Sequence, residues 1–161
     1  MQINTDRAVR VRIETEGLPW ASSPTPGVER RMLERDGGEV ARATSLVRFA
    51  RGSAFPEHEH GGGEEFLVLD GVFSDEEGDF PAGWYVRNPP GSRHSPRSAS
   101  GCTILVKLRQ MAADDRAKVR IDTTRAERST VGRGVSEAVL FAGDGERVAM
   151  IVLEPGAAWR F

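Results

Sequence analysis

The chain has 161 residues, 22 basic against 24 acidic side chains and a net charge of −2. A chain of this length buries about 70 per cent of its unfolded surface as a single domain and needs no covalent staple. The interspersed charges offer no basic footprint for nucleic acid, the single cysteine, Cys102, excludes an intrachain disulfide, and no apolar run reaches membrane-spanning length.

Residues 8–14, V-R-V-R-I-E-T, alternate apolar and polar side chains, the pattern of a half-buried strand, and predict an edge strand. The Pro- and Ser-rich stretch that follows reads as an irregular arm, with Trp20 anchoring it on the scaffold rather than at a subunit contact. Asp36-Gly37-Gly38 predicts a hairpin turn leading to a strand over 43–51.

Gly52 to Ser98 contains all three histidines of the chain. Alternate side chains of an extended segment share a face, so His58 and His60 aim at one point. Gly61, Gly62 and Gly63 allow a tight turn, after which Glu64 opens the next strand and brings a carboxylate beside two imidazoles. His94 follows a Pro-Pro-Gly corner and so arrives from a neighbouring strand. Three His and one Glu suit Zn, Fe, Mn, Ni or Cu. An isolated H-x-H reads equally well as a solvated loop. The placement of every histidine at these positions, among glycines and proline that shape the strands, favours a metal site.

F-L-V-L-D-G-V-F is apolar on both faces, which requires a cover over its outer side: a second sheet, the N-terminal arm or another subunit. The acids of S-D-E-E-G-D are expected in a solvated turn. Tyr85, Arg87 and Asn88 precede Pro89, and one face of their strand should line a cavity. Arg87 could hold a substrate anion there or make an outward salt bridge. Glu65 should point away from Glu64, toward solvent or a supporting position. In the closing strand, Cys102, Ile104, Val106 and Leu108 share one face and would form an apolar floor, with Cys102 as core.

Residues 112–134 are charged and read as a linker or crossing segment. Residues 135–161 read as a hairpin that echoes residues 32–55. In each stretch an Asp-Gly turn precedes an apolar strand ending in Gly, two small residues and an aromatic, Gly52 to Phe55 and Gly156 to Trp159. These strands need a sheet to join, on this barrel or across a homodimer.

The residues Gly52, His58, His60, Glu64, Gly71, Gly83, Pro89, Gly91 and His94 resemble the two motifs of the cupin superfamily, with Ser98 where the second motif ends in Asn. The longer run from Gly62 to Ser92 is similar to the cupin domain of ChrR-type anti-sigma factors and their stand-alone relatives. The resemblance covers about residues 28–111. It implies an all-β fold, the cupin double-stranded β-helix or jelly-roll barrel, with 1–27 as an N-terminal strand and arm and 135–161 as extra strands resembling the start of a second repeat. It also implies one divalent ion on His58, His60, Glu64 and His94: zinc as in the ChrR-type proteins, with iron, manganese or nickel as alternatives.

Three functions follow as expectations: a metal-dependent, small-ligand-binding or sensory cupin; a non-haem iron dioxygenase acting on a small diketone or aromatic ketone; and a structural metal site in an interaction module. Sigma-factor binding is not expected, because only about 27 residues precede the cupin region and they contain no Cys or His. The lone cysteine and the absence of an apolar secretion core in residues 1–17 lead to an expected cytoplasmic location, with neither membrane nor nucleic acid as a partner.

Overall fold

The structure, a computed structural model, describes residues 1–143 and 145–160. In chain order its strands are β1 (Gln2–Ile3), β2 (Ala21–Ser22), β3 (Val28–Gly37), β4 (Ala41–Phe49), β5 (Ser53–Ala54), β6 (His58–Glu59), β7 (Glu64–Asp75) and β8 (Gly78–Pro81). They continue with β9 (Trp84–Asn88), β10 (Arg93–His94), β11 (Arg97–Ser98), β12 (Cys102–Leu108), β13 (Val119–Asp122), β14 (Ser129–Gly132), β15 (Val135–Gly143) and β16 (Glu146–Leu153). All pairings are antiparallel, and the fold is an all-β jelly roll. No helix among the described residues is long and apolar enough to cross a membrane.

One wall runs β3-β4-β12-β7-β9-β13; the short pairs β10-β6 and β11-β5, with β8, form the other side. β7 belongs to both. Its first half pairs with β9 and β12, and its last four residues pair with β8. The passage between walls is made at an irregularity opposite Thr103 and Ile104, followed by Gly71 at φ +72°. A Cβ at Gly71 would run into the Gly101 carbonyl oxygen, so both the conformation and the space demand glycine.

Strand alternation divides the apolar side chains between two cores. Phe66 and Val68 point into the barrel with Phe49, Phe73, Val86, Cys102, Ile104 and Val106. Leu67 and Tyr85 point outward and pack with Val119, Ile121, Ala138 and Leu140. The cover required by the doubly apolar β7 is therefore a separate three-stranded sheet, β14-β15-β16, from the C-terminal part of the same chain. Arg87, fully buried on this outer face, fastens it: its guanidinium donates to both oxygens of Asp115 at 3.0 and 2.7 Å and to Glu146 at 2.6 Å, and lies over the Phe141 ring.

Two stretches differ from the sequence reading. Residues 8–14 form no strand, and Val9 and Val11 are exposed. The outer edge of β3 is taken at its two ends by β1 and β2, so the alternating segment between them has no ladder to join. Residues 112–134, read as a linker or crossing segment, contain β13, which completes the wall beside β9, and β14, which edges the C-terminal sheet. The β3–β4 hairpin forms at the Asp36-Gly37-Gly38 turn, and Trp20 is held by the guanidinium groups of Arg31 and Arg48, each 4.4 Å from its ring centroid. The β15–β16 hairpin pairs Gly143 with Glu146; Asp144 of the expected Asp-Gly turn lies outside the described residues.

Gly71→Ala should destabilise the protein by at least about 2 kcal/mol, since it adds left-handed strain to a collision with backbone. Denaturant midpoints of the variant and the parent check this; equal midpoints would show that β7 turns without a glycine.

Candidate metal centre

Pairing of β6 with β10 sets His58 opposite His94, two residues before His60, and the turn over Gly61–Gly63 returns the chain to β7 with Glu64 as its first residue. Gly63 takes φ +78°, and a side chain there would press on Met111. One ligand atom from each of His58, His60, Glu64 and His94 falls within 4.8 Å of all the others. His60, Glu64 and His94 are buried and His58 is half-buried.

The ring nitrogens show which atoms face inward. His58 Nδ1 lies 3.0 Å from the Pro56 carbonyl, an acceptor, and His94 Nδ1 lies 3.1 Å from the Asp75 carboxylate, also an acceptor. His60 Nδ1 lies 3.0 Å from Ser92 Oγ, whose own proton is donated to the Pro89 carbonyl at 2.6 Å, leaving the oxygen to accept. Each Nδ1 is thus the protonated nitrogen, and each Nε2 presents a lone pair to the centre. His58 Nε2 and His60 Nε2 stand 3.2 Å apart, and His94 Nε2 is buried without a hydrogen-bond partner. Glu64 Oε1 lies 3.6 Å from His60 Nε2 and 3.5 Å from His94 Nε2.

Facing lone pairs and a carboxylate oxygen are mutually repulsive, and a cation among them turns the repulsion into attraction. The donor set, three imidazole nitrogens and one oxygen with hydrogen-bonded backing, fits a divalent metal ion. Burial lowers the pKa of His60, with Glu64 acting in the opposite direction, which favours the neutral ring that ligation requires.

Two of the supporting residues, Asp75 and Arg120, were not foreseen. Asp75, expected in a solvated turn, is 2 % exposed and orients His94. Asn88 donates to Glu64 at 3.3 Å and accepts from Arg120 at 2.6 Å. The one sequence signal for Asp75 was its position at the end of an apolar strand, where alternation from Phe73 directs it inward. Nothing local marked Arg120.

Of the other candidate residues, Ile104 and Val106 line a cavity of about 350 Å³ that reaches His58, His60 and Glu64. Cys102, on the same face, is core, and burial pushes its thiol pKa up. Asn88 faces inward beside Glu64. Tyr85 and Arg87 take the opposite face of β9: Tyr85 donates to the buried Glu65 at 2.6 Å, and Arg87 makes its ion pairs beneath the C-terminal sheet. Ser98 ties β11 to β7 by donating to the Val72 carbonyl at 2.6 Å.

A protein family described as the ChrR cupin-like domain matches residues 8–112. Among solved structures, the chain is similar to the anti-sigma factor ChrR of Rhodobacter sphaeroides, seen in complex with SigE, at 32% identity and TM-score 0.50, over 58% of this chain and 50% of that one. It therefore spans about half the length of that relative. A provisionally assigned glyoxylate-induced protein of Pseudomonas aeruginosa matches 85% of this chain and 60% of its own at 14% identity and TM-score 0.66. A provisionally assigned acetylacetone dioxygenase of Methylibium petroleiphilum PM1 matches 73% of this chain and 92% of its own at 16% identity and TM-score 0.56. At these last two identities the likeness is one of fold. No curated protein matches the chain.

Two outcomes are expected. Asp75→Asn should weaken affinity for added Zn²⁺ by about tenfold to a hundredfold while leaving the ligand atoms intact; competition with a chromogenic chelator measures it. Affinity should also fall as pH drops through and below about 6, because protons then compete for Nε2. A titration by the same chelator method between pH 7.5 and 5 would show a flat profile if the histidines are not ligands.

Proposed function

From the premise that this chain belongs to the ChrR cupin-like family, we propose that it is a metal-dependent cupin that binds or senses a small ligand. One divalent ion is held by His58, His60, Glu64 and His94. The observation that carries this reading is the convergence of three bare Nε2 atoms and a carboxylate oxygen beside a cavity, bordered by His58, His60 and Glu64, that is large enough for a small molecule. Similarity to ChrR favours zinc. The ion, when bound, supplies a Lewis acid. The chain's own residues fix the imidazole tautomers, hold Glu64 through Asn88, and keep an apolar wall against the ligand.

A second reading, a non-haem iron dioxygenase acting on a small diketone or aromatic ketone, is favoured by one feature. Four ligands from the chain leave up to two positions of an octahedral ion free, and His58, His60 and Glu64 border the cavity from which a substrate would approach. A closed, purely structural ion would not need that opening.

Elemental analysis of protein purified without added metal, with oxygen uptake measured on iron-loaded protein against diketones and hydroxyketones, separates the readings. Stoichiometric zinc without oxygen uptake is expected. Iron with substrate-dependent uptake would make the protein a dioxygenase, and His94→Ala retaining full metal content with unaltered affinity would refute the ligand set.

A further inference from the structure

The cavity beside the histidine cluster has a wall that is mostly apolar, built by Phe49, Phe55, Phe73, Ile104, Val106 and Leu108. Its volume of about 350 Å³ is at the small end of ligand sites, which run from about 300 to 1,000 Å³. Charge enters this wall unevenly. Arg30, Arg35 and Arg109 border it, together with Glu39, Glu59 and Glu64. Glu64 belongs to the histidine cluster. Glu59 is taken by Arg93 at 2.5 Å and Glu39 by Arg30 at 3.4 Å.

Two cations are left over. Arg35 is only 5 % exposed, and its guanidinium finds only the carbonyls of Gly38 and Glu39, with no carboxylate among the described residues. Arg109, at φ +61°, sits over Gly61, the first residue of the tight turn; its guanidinium has no hydrogen-bond or ion-pair partner among the described residues. Arg30 adds a buried Nε that no group accepts from. The buried guanidinium of Arg35 without a counter-charge is costly, a ligand that brings a carboxylate repays the cost in a fork geometry suited to it, and the exposed Arg109 offers that head a second, solvated cation.

We propose that the cavity is selective for a small ligand with an apolar body and an anionic head, the head held by Arg35 and Arg109 and the body lying on the Phe49, Phe55, Ile104 and Val106 wall. This rests on the ligand-binding reading above and adds the chemical class: a monocarboxylate on a short aliphatic or aryl chain. A neutral ketone of the same shape fills the wall but leaves the arginines unanswered. An amine of that shape is repelled.

Zinc-loaded protein titrated calorimetrically with 4-phenylbutanoate, 4-phenylbutanamide and 4-phenylbutylamine tests it. The acid is expected to bind at least about tenfold more tightly than the amide, with the amine weakest. Arg109→Gln, at an exposed position, and Arg35→Gln should each shrink that difference while zinc content and amide affinity stay at parental values. Equal affinity for acid and amide, or preference for the amine, overturns the anion selectivity and leaves the ligand-binding reading standing. Binding of none of the three by fully zinc-loaded protein overturns the selectivity for this class, and the ligand-binding reading is then judged separately with the ketone panel. An acid preference unchanged in both variants overturns the assignment to these arginines.

Discussion

The bend in β7 is the constraint on which the site depends. Glu64, the first residue of that strand, and Asp75, its last, lie on opposite edges of one imidazole, 3.5 Å from His94 Nε2 and 3.1 Å from His94 Nδ1. The eleven steps from the first to the last of these twelve residues would otherwise span about 36 Å in an extended strand, at about 3.3 Å each. The two carboxylates can meet around His94 only because the strand changes direction between the walls, at the irregularity opposite Thr103 and Ile104 and at Gly71. One strand thus supplies both a candidate ligand and the group that orients another.

The same strand, with its neighbour, separates two buried polar clusters. In the β7–β9 register Glu64 pairs with Asn88 and Glu65 with Arg87. The pleat sends Glu64 and Asn88 into the barrel and Glu65 and Arg87 out of it, and both sides are covered. A slip of one residue would exchange the clusters, placing Arg87 where neutral Asn88 supports Glu64 and leaving Glu64 against the Tyr85 hydroxyl. Burial raises the pKa of Tyr85, and Glu65 adds to the effect, so the phenol stays protonated and can donate to that carboxylate. The C-terminal sheet is therefore a requirement of the barrel: without it Arg87 and the Glu65–Tyr85 pair would lose their cover.

What could be read from the sequence follows from how local each signal is. The H-x-H spacing, the glycine turn and the Pro-Pro-Gly corner act over a few residues, and they brought the four candidate ligands together on paper. Alternation correctly divided β12 into faces, yet it misled at residues 8–14, because a pattern states which face would be buried and not whether an edge is free to pair. Composition misled at 112–134, where charged residues form strands because β9 and β15 each present an edge that needs a partner, taken by β13 and β14. Asp75 and Arg120 were missed for the complementary reason: their burial comes from elements distant in sequence, and their types are those of solvated turns.

The electrostatics of the centre explain why these distant residues matter. The imidazoles are held in one tautomer by a carbonyl, a hydroxyl and a carboxylate, and burial disfavours charging His60 by protonation. Glu64 and Asp75 add two buried carboxylates, against which the nearby fixed cation is Arg120, itself shared with Glu77 at 2.9 Å. Burial lowers the pKa of Arg120 while Asp75 and Glu64 oppose the effect, and the guanidinium stays charged. A set of neutral nitrogens and excess carboxylate in a low-dielectric interior favours a compact divalent cation over a proton, because the cation satisfies all the inward lone pairs together and a proton satisfies one.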